Sequence, residues 1–236
     1  MVEEIAKYKM SSEPTKLEEA VYMANMNFYE ANLVSSTQGN ASGIDRENGL
    51  VVIKPSGVNY KTLKVSDMVT VNLNGEKIKG DLKPSVDLPH HLFLYKNIAD
   101  IGSVVHTHST YATIFAIAEK SIPCLSTGHA DVFGGDIPVT PYTDNKGNNI
   151  GETILKFYRK KCPAIIVGRH GIFAFGPSPQ EAVKIAILTE HVAQISFGGL
   201  ILGKLIKGKE VLPLPDKEIE KWYSRYHGGG YGQDKS

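Results

Sequence analysis

Two short apolar runs, each leading into histidine, constrain this chain more than any other feature of its sequence. Residues 101–105 lead directly into His106, and His108 follows two positions later. Side chains at i and i+2 of a strand project to the same face, so these two imidazoles can bind one metal ion. The second run, residues 164–167, is followed by His170. Three imidazoles with an open fourth position are typical of a catalytic zinc site rather than a structural one.

The histidine pair also has a plainer interpretation, because polar residues often emerge where a strand reaches the edge of its sheet. Asp87 is a candidate fourth ligand, since a carboxylate combined with imidazoles suits zinc or a similar divalent transition metal. His90 and His91 lie close to Asp87 but begin a helix-like apolar stretch. We therefore interpret these two histidines as ordinary helix residues.

Composition favours a cytoplasmic protein with one domain. Of the 236 residues, 42% are hydrophobic, which is enough for a sizeable core. The net charge of +1 argues against general affinity for nucleic acid or an anionic membrane, although a local basic pocket for phosphate is still allowed. Cys124 and Cys162 have no metal or redox spacing and are expected to be reduced thiols. No apolar run is expected to reach transmembrane length.

Helices and strands are predicted to alternate without a regular βαβ rhythm, and Asn74-Gly75 marks a hairpin. This pattern favours an α/β fold of the α+β type, with a central, mainly antiparallel sheet flanked by helices. Residues 35–42 are a small, polar stretch, and residues 123–143 are expected to be loop plus a short strand. Residues 1–14 are predicted to be a flexible extension, followed by a single domain over residues 15–236. The predicted helices cover 17–31, 88–98, 109–119, 148–160, 176–205 and a short stretch from 215, and the predicted strands cover 50–53, 68–73, 101–108, 164–167 and 172–175.

Three small-residue loops share the chemistry of an anion site. Glycine lets the backbone approach a ligand closely, and hydroxyl and amide groups donate hydrogen bonds. A lysine adds a point charge two residues before one of the loops. The alternative is that these residues simply build turns. The loop residues are Gly39, Asn40, Ser56, Gly57, Ser85 and Val86, and the lysine is Lys54.

Seven short blocks of the chain resemble the L-ribulose-5-phosphate 4-epimerases, a branch of the class II aldolase and epimerase superfamily. The blocks follow the family order and span the chain from about Leu17 to Gln233. They are residues 39–42, 53–58, 83–87, 105–109, 129–133, 169–171 and 231–233.

The resemblance implies a zinc site formed by His106, His108 and His170, with Asp87 at the fourth position. It implies that the three small-residue loops bind a substrate phosphate. It also implies that Asp131 and Tyr231 are the catalytic acid/base pair. Members of the family are homotetramers with active sites between subunits, and the C-terminal tyrosine comes from the neighbouring chain.

The function implied by the resemblance is interconversion of L-ribulose 5-phosphate and D-xylulose 5-phosphate. The reaction would proceed by retro-aldol cleavage and re-addition through a zinc-stabilised enediolate, in arabinose breakdown or an ascorbate-type route. The alternative is a class II sugar-phosphate aldolase, such as one acting on L-fuculose phosphate. The aldolase branch is expected to carry glutamate at the position of Asp87. A non-catalytic interaction module and a zinc hydrolase are further alternatives, and the chain has no His-Glu-x-x-His motif to support the latter.

Two positions depart from the family pattern. Val86 stands where a second serine is expected, so one hydroxyl donor to phosphate is lost, although the backbone amide remains. Trp222 stands where a histidine is expected to assist the chemistry. Both departures bear on sugar preference.

Overall fold

Eight strands form one continuous sheet in the computed structural model, which describes residues 13–207 and 210–229. Across the sheet the order is β4-β3-β2-β1-β5-β8-β7-β6. Neighbouring strands are antiparallel except β6 and β7, which are parallel. The strands are β1 Asn40–Asp45, β2 Leu50–Ile53, β3 Val69–Asn72, β4 Lys77–Lys79, β5 Ser103–Thr107, β6 Val139–Thr140, β7 Ala164–Val167 and β8 Gly171–Gly176. The predicted α/β fold with a mainly antiparallel sheet is confirmed.

Seven α-helices in the described residues pack around this sheet. They are α1 Lys16–Glu30, α2 Leu88–Asn97, α3 Thr110–Ile117, α4 Thr127–Phe133, α5 Asn149–Phe157, α6 Pro179–Lys207 and α7 Asp216–His227. The proposed flexible extension, residues 1–14, lies outside the described residues except for its last two positions.

The core is divided between the two faces of the sheet, because side chains alternate along each strand. On one face, Val105 of β5 and Ile172 of β8 belong to a cluster with residues of α1, α3 and α6. On the other face, Val104 and Phe173 belong to a cluster with residues of α2 and α5. The central strands β5 and β8 are therefore buried on both sides.

One strand was missed by sequence reasoning. Residues 35–42 were described only as a small, polar stretch, yet β1 begins at Asn40 and pairs with both β2 and β5. The β1 sequence is Asn-Ala-Ser-Gly-Ile-Asp, which lacks the β-branched and aromatic residues that mark strands. Burial between two neighbouring strands and under α1 overrides this weak local preference.

A helix was also missed within residues 123–143, which were expected to be loop plus a short strand. The short strand is β6, but Thr127–Phe133 form α4. The Ser126 side chain accepts a hydrogen bond from the His129 amide at the start of the helix, and Gly134 ends it in a left-handed conformation with φ of 59°. Because α4 has only seven residues, its helical periodicity was too short to recognise.

The expectation that no apolar run reaches transmembrane length is wrong for α6. Its residues Pro179–Ile206 are long and apolar enough to cross a membrane by length and composition alone. A core helix can pass the same test, and α6 packs against α1, α3, β5 and β8. Its apolar residues toward the C-terminal end are exposed, and they include Ile201, Leu202 and Leu205.

A buried carboxylate ties α1 to the edge of the sheet. Glu18 accepts hydrogen bonds from the Thr15 amide at 2.8 Å, the Thr70 hydroxyl at 3.1 Å and Lys79 Nζ at 2.9 Å. Thr15 returns a side-chain bond to the Glu18 amide, which completes a capping box. One carboxylate thus holds the start of α1 against β3 and β4.

We predict that Glu18→Ala lowers the free energy of unfolding by about 2–4 kcal/mol, because it removes the cap and leaves a half-buried lysine without its counter-charge. Chemical denaturation would measure the change. The exposed neighbour gives a matched control, and Glu19→Ala should cost less than about 0.5 kcal/mol. Equal denaturation midpoints for the two variants would contradict this role for Glu18.

Candidate metal centre and anion cleft

His106 is the buried centre of the candidate metal site. It lies near the end of β5, and its ring is stacked between His170 and Phe173, with centroids 4.9 and 4.4 Å away. Its Nδ1 lies 2.8 Å from the carbonyl oxygen of Ile172. A carbonyl only accepts, so Nδ1 carries the proton and donates it, which leaves Nε2 with a free lone pair. This orientation is the one that a metal-binding imidazole requires.

The three predicted histidines converge through their Nε2 atoms. Nε2 of His106 lies 2.9 Å from Nε2 of His108 and 3.2 Å from Nε2 of His170. In a tetrahedral zinc site the ligand atoms are about 3.3 Å apart, because each lies about 2.0–2.1 Å from the ion. The observed separations are close to this value. Neutral imidazoles whose lone pairs converge in this way suit a shared cation, so the residues fit a divalent metal.

Pairing of β5 with β8 brings the third histidine to the other two. Thr107 is opposite Ile172, and His170 occupies the turn just before β8. Gly171 permits the close approach, since a Cβ there would lie 2.5 Å from the Thr107 carbonyl and 2.8 Å from Cδ2 of His108. The histidine-glycine pair noted in the sequence is therefore a packing requirement of the site.

Burial keeps these imidazoles neutral. It lowers the pKa of His106 to about 3, with further lowering by His108 and His170 and partial opposition from Asp87. Burial also lowers the pKa of His108 and of His170. Neutral imidazole is the form that binds a metal.

Asp87 lies beside the histidines, at the N-cap position of α2. Its Oδ2 accepts a 2.6 Å hydrogen bond from Asn40 Nδ2. Burial raises the pKa of Asp87, but His106, His91 and the Asn40 bond lower it by more, so the carboxylate is ionised. Its oxygens lie outside the group of ligand atoms within 4.8 Å of one another, which contains the three histidines. The structure therefore brings Asp87 to the site without placing it among the closest donors.

The three small-residue loops meet beside the histidines in one cleft of about 320 Å³. Two loops are linked by backbone hydrogen bonds, from the Ser56 amide to Lys83 and from the Ser85 amide to Lys54. Asn40 Nδ2 reaches Ser85 Oγ at 3.1 Å and connects the third loop. All seven predicted anion-binding residues line the cleft, namely Gly39, Asn40, Lys54, Ser56, Gly57, Ser85 and Val86. The sequence alone did not bring these loops together.

Lys54 is buried in the wall of this cleft, with 1% of its surface exposed. Its Nζ donates to the carbonyl oxygens of Thr37 at 3.3 Å and Pro55 at 3.4 Å, and lies 4.6 Å from the centre of the Tyr60 ring. Burial lowers the pKa of Lys54 to about 8. No carboxylate is among these neighbours, so the ammonium can pair with an anion in the cleft.

Sequence reasoning missed four residues that line the cleft, namely Thr37, Gln38, Pro55 and Asn145. Thr37 and Gln38 belong to the small, polar stretch before β1, where nothing distinguished them from turn residues. Asn145 lies in the segment between β6 and α5 and carried no sequence signal. A second, larger cleft of about 440 Å³ includes Glu18 and Lys79 in its lining and contains none of the three histidines.

Comparison with known proteins decides the family. Residues 19–197 match the model of the class II aldolase and adducin N-terminal domain. The chain belongs to this family. The match spans the sheet, the three histidines and the anion loops, so the resemblance predicted from the sequence blocks is confirmed.

Curated relatives of this family member include L-ribulose-5-phosphate 4-epimerase UlaF of Salmonella paratyphi C, which is 42% identical over 92% of this chain and 99% of the relative. The Salmonella typhi protein of the same name is 43% identical over the same shares. Both names describe epimerases, which confirms the predicted isomerase class.

Solved structures share the class II aldolase fold. An L-fuculose 1-phosphate aldolase is 28% identical, with a TM-score of 0.77 over 92% of this chain and 98% of the other. An aldolase II superfamily protein from Pseudomonas syringae has a TM-score of 0.79 over 96% of this chain and 90% of the other. At 16% identity, the second comparison shows the fold alone.

Asp131, one of the two candidate acid/base residues of this class II aldolase family member, is not among the described residues that line the cleft. It is on α4, which packs against α7. Within the described residues, its Oδ1 is buried without a hydrogen-bond partner. Burial raises the pKa of Asp131, and Arg225 and His227 of α7 oppose the shift. Tyr231 lies outside the described residues.

Trp222 and Val86, the two predicted departures from the family pattern, occupy different surroundings. Trp222 Nε1 donates to Glu218 at 3.3 Å along α7, and the Arg225 guanidinium lies 5.4 Å from the centre of its ring. Val86 lines the cleft with 73% of its surface exposed, so its side chain contributes little packing there.

We predict that Gly171→Ala abolishes stoichiometric metal binding in this class II aldolase family member, because the added methyl group separates β8 from Thr107 and displaces the His108 ring. Elemental analysis after dialysis against zinc would measure the bound metal. Gly199→Ala is the control, since a Cβ there meets nothing within 4 Å. A folded Gly171→Ala protein with one tightly bound zinc per chain would contradict this reading of the site.

Proposed function

We propose that this chain is a metal-dependent epimerase that interconverts L-ribulose 5-phosphate and D-xylulose 5-phosphate. The observation that carries the proposal is the convergence of three Nε2 atoms in a cleft that the three small-residue loops also line. The curated relatives named L-ribulose-5-phosphate 4-epimerase support the choice of sugar. Zinc is the proposed metal, one per chain, because three imidazoles and a carboxylate suit it.

The chemistry demands cleavage of a carbon–carbon bond. The hydrogen on carbon four of the sugar is not acidic, so side-chain bases cannot invert that carbon by deprotonation. Retro-aldol cleavage between carbons three and four, rotation of the aldehyde fragment and re-addition would invert it. When bound, a divalent metal supplies Lewis-acid stabilisation of the enediolate charge.

The proposed role of the cleft loops is to hold the phosphate-bearing fragment between cleavage and re-addition. The backbone amides of Gly57 and Val86, the Ser85 hydroxyl and the Lys54 ammonium are the proposed donors. Holding the fragment near its partner keeps re-addition effectively unimolecular. A donor is missing at Val86, where the backbone amide alone can serve.

Asp131 and Tyr231 are proposed to exchange protons with opposite faces of the aldehyde fragment. A tyrosine is protonated at neutral pH, which suits a donor to a developing alkoxide. Since Asp131 is absent from the lining of the single chain's cleft, we propose that these groups reach a cleft across a subunit interface of a homotetramer. Exposed apolar residues support such an assembly, among them Ile117 on α3 and Leu202 and Leu205 on α6.

A class II sugar-phosphate aldolase is the second candidate, and the similarity to L-fuculose 1-phosphate aldolase favours it. The two activities share their first step and differ in whether the aldehyde fragment leaves. The identity of the product, and not of the metal, therefore distinguishes the epimerase from the aldolase. We also propose a cytoplasmic location and a role in pentose breakdown of the arabinose or ascorbate type.

The proposed function is tested by incubating zinc-loaded protein with L-ribulose 5-phosphate and assaying D-xylulose 5-phosphate and free aldehyde phosphate separately. We expect xylulose phosphate without free aldehyde. Free aldehyde phosphate as the main product would identify an aldolase. If neither product forms, the proposed substrate is wrong, and other sugar phosphates would be assayed next.

Asp131→Asn is expected to retain the fold and the bound metal but to lose about 10²–10⁴-fold in kcat, the usual contribution of a general acid or base. Asp216→Asn, on the exposed start of α7, serves as the control and should keep normal turnover. Near-normal turnover of Asp131→Asn would remove this residue from the mechanism.

Mixed tetramers test whether the site is shared. We predict that Asp131→Asn chains and Tyr231→Phe chains, each inactive alone, regain part of the activity when unfolded, mixed and refolded together, because some sites then receive both intact groups. Separately refolded variants are the control. Absence of rescue in tetramers shown by mass spectrometry to be mixed would contradict sites between subunits.

The depressed pKa of Lys54 predicts a pH-dependent KM. Below about pH 8 the ammonium is protonated and binds the phosphate dianion, and above it the charge is lost from the free enzyme. KM is therefore expected to rise by up to about tenfold per pH unit above pH 8, while Lys54→Arg, which stays charged, has a flatter profile. A wild-type KM that is constant from pH 7 to 9.5 would contradict the role of Lys54.

A further inference from the structure

A buried polar chain lies beneath the metal centre, on the side of the sheet covered by α2. Ser42 Oγ lies 2.7 Å from His91 Nδ1 and 2.7 Å from the Tyr95 hydroxyl. All three residues are buried, and Ser42 and His91 have no exposed surface. The sequence predicts that His91 is an ordinary helix residue. In the structure, however, Nδ1 of its ring forms a hydrogen bond with the Ser42 hydroxyl.

The direction that gives both hydroxyl protons an acceptor runs from Tyr95 through Ser42 to His91. Burial raises the pKa of Tyr95, so its hydroxyl keeps the proton. In the described structure the acceptor within reach of that proton is Ser42 Oγ. Ser42 then donates its own proton to His91 Nδ1, so both hydroxyl protons have an acceptor. The reverse direction would leave the buried Tyr95 hydroxyl without an acceptor.

The tautomer of His91 follows from this direction. Burial lowers the pKa of His91 to about 4, with Asp87 opposing, so the ring is neutral. A neutral ring that accepts at Nδ1 carries its proton at Nε2. This Nε2 is buried and has no hydrogen-bond partner in the described structure. A buried donor of this kind requires an acceptor or a trapped water.

The position of His91 indicates what that acceptor is. His91 lies one helical turn after Asp87 on α2, and side chains at i and i+4 are neighbours. The Asp87 carboxylate and His91 interact electrostatically. The His91 ring also contacts the edge of Phe173, whose other neighbour is the stacked ring of His106. His91 is thus close to Asp87 and shares the neighbour Phe173 with the central histidine.

We propose that His91 is a positioning residue for the metal centre, which donates its Nε2 proton to the Asp87 carboxylate through one buried water. The Tyr95–Ser42–His91 chain fixes the tautomer, and Asn40 holds the other side of the carboxylate through Oδ2. Partners of this kind orient metal ligands and commonly change metal affinity by about 10–100-fold. The inference rests on the proposed metal centre and adds a residue to it.

Two substitutions distinguish hydrogen-bond donation by residue 91 from its packing. The amide of His91→Gln can place an N–H near the position of Nε2, whereas the shorter His91→Asn reaches Ser42 but not Asp87. We expect the zinc Kd, measured by chelator competition, to stay within about threefold of wild type for His91→Gln and to weaken about 10–100-fold for His91→Asn. Thr189→Val is the control, since Thr189 is buried in α6 and bonded to Ile185. Equal affinities for both His91 variants would overturn the proposal.

A second measurement does not need metal. Histidine ¹⁵N chemical shifts of the metal-free protein report the tautomer directly, and we expect His91 to be protonated at Nε2. Protonation at Nδ1 would overturn the proposed relay. The chemical shifts do not depend on zinc, so they test the hydrogen-bond relay even if the wild-type protein does not bind zinc. Failure to bind zinc would count against the proposed function alone.

Discussion

Pairing between β5 and β8 is the constraint on which the rest of the site depends. Its register places Thr107 opposite Ile172, so that His170, in the turn before β8, meets the histidines at the end of β5. The same pairing brings the Ile172 carbonyl to His106 Nδ1, which turns Nε2 toward the other two imidazoles. A shift of one residue would turn the side chains of one strand to the opposite face relative to the other and disperse the cluster.

Pairing of β5 with β1 completes the site on the other side of β5, opposite β8. Asn40 is opposite His106, and its amide reaches both Ser85 and Asp87. The anion loops and the metal ligands are therefore joined by one side chain at the start of one strand. Under the proposed function, this connection would let phosphate and metal act on the same substrate, with the sugar carbons between them.

Sequence patterns predicted the parts of the site that carry local signals. The histidine positions followed from alternation along a strand, and the antiparallel sheet followed from the Asn74-Gly75 hairpin and irregular alternation. β1 and α4 were missed, because Asn-Ala-Ser-Gly resembles a turn and seven residues are too few to display a helical period. The meeting of the anion loops depends on strand order, which is a long-range property. The role of His91 was also hidden, since its burial beside Ser42 and Tyr95 arises from the packing of α2 on the sheet.

Binding of one divalent metal by the three Nε2 atoms is the property on which the proposed function depends. Crystals of the zinc-loaded protein, measured on both sides of the zinc absorption edge, test it most directly. The account predicts one anomalous peak per chain, about 2.0–2.1 Å from Nε2 of His106, His108 and His170. A zinc-loaded crystal with no peak at these atoms, or with its zinc bound elsewhere, would contradict the account.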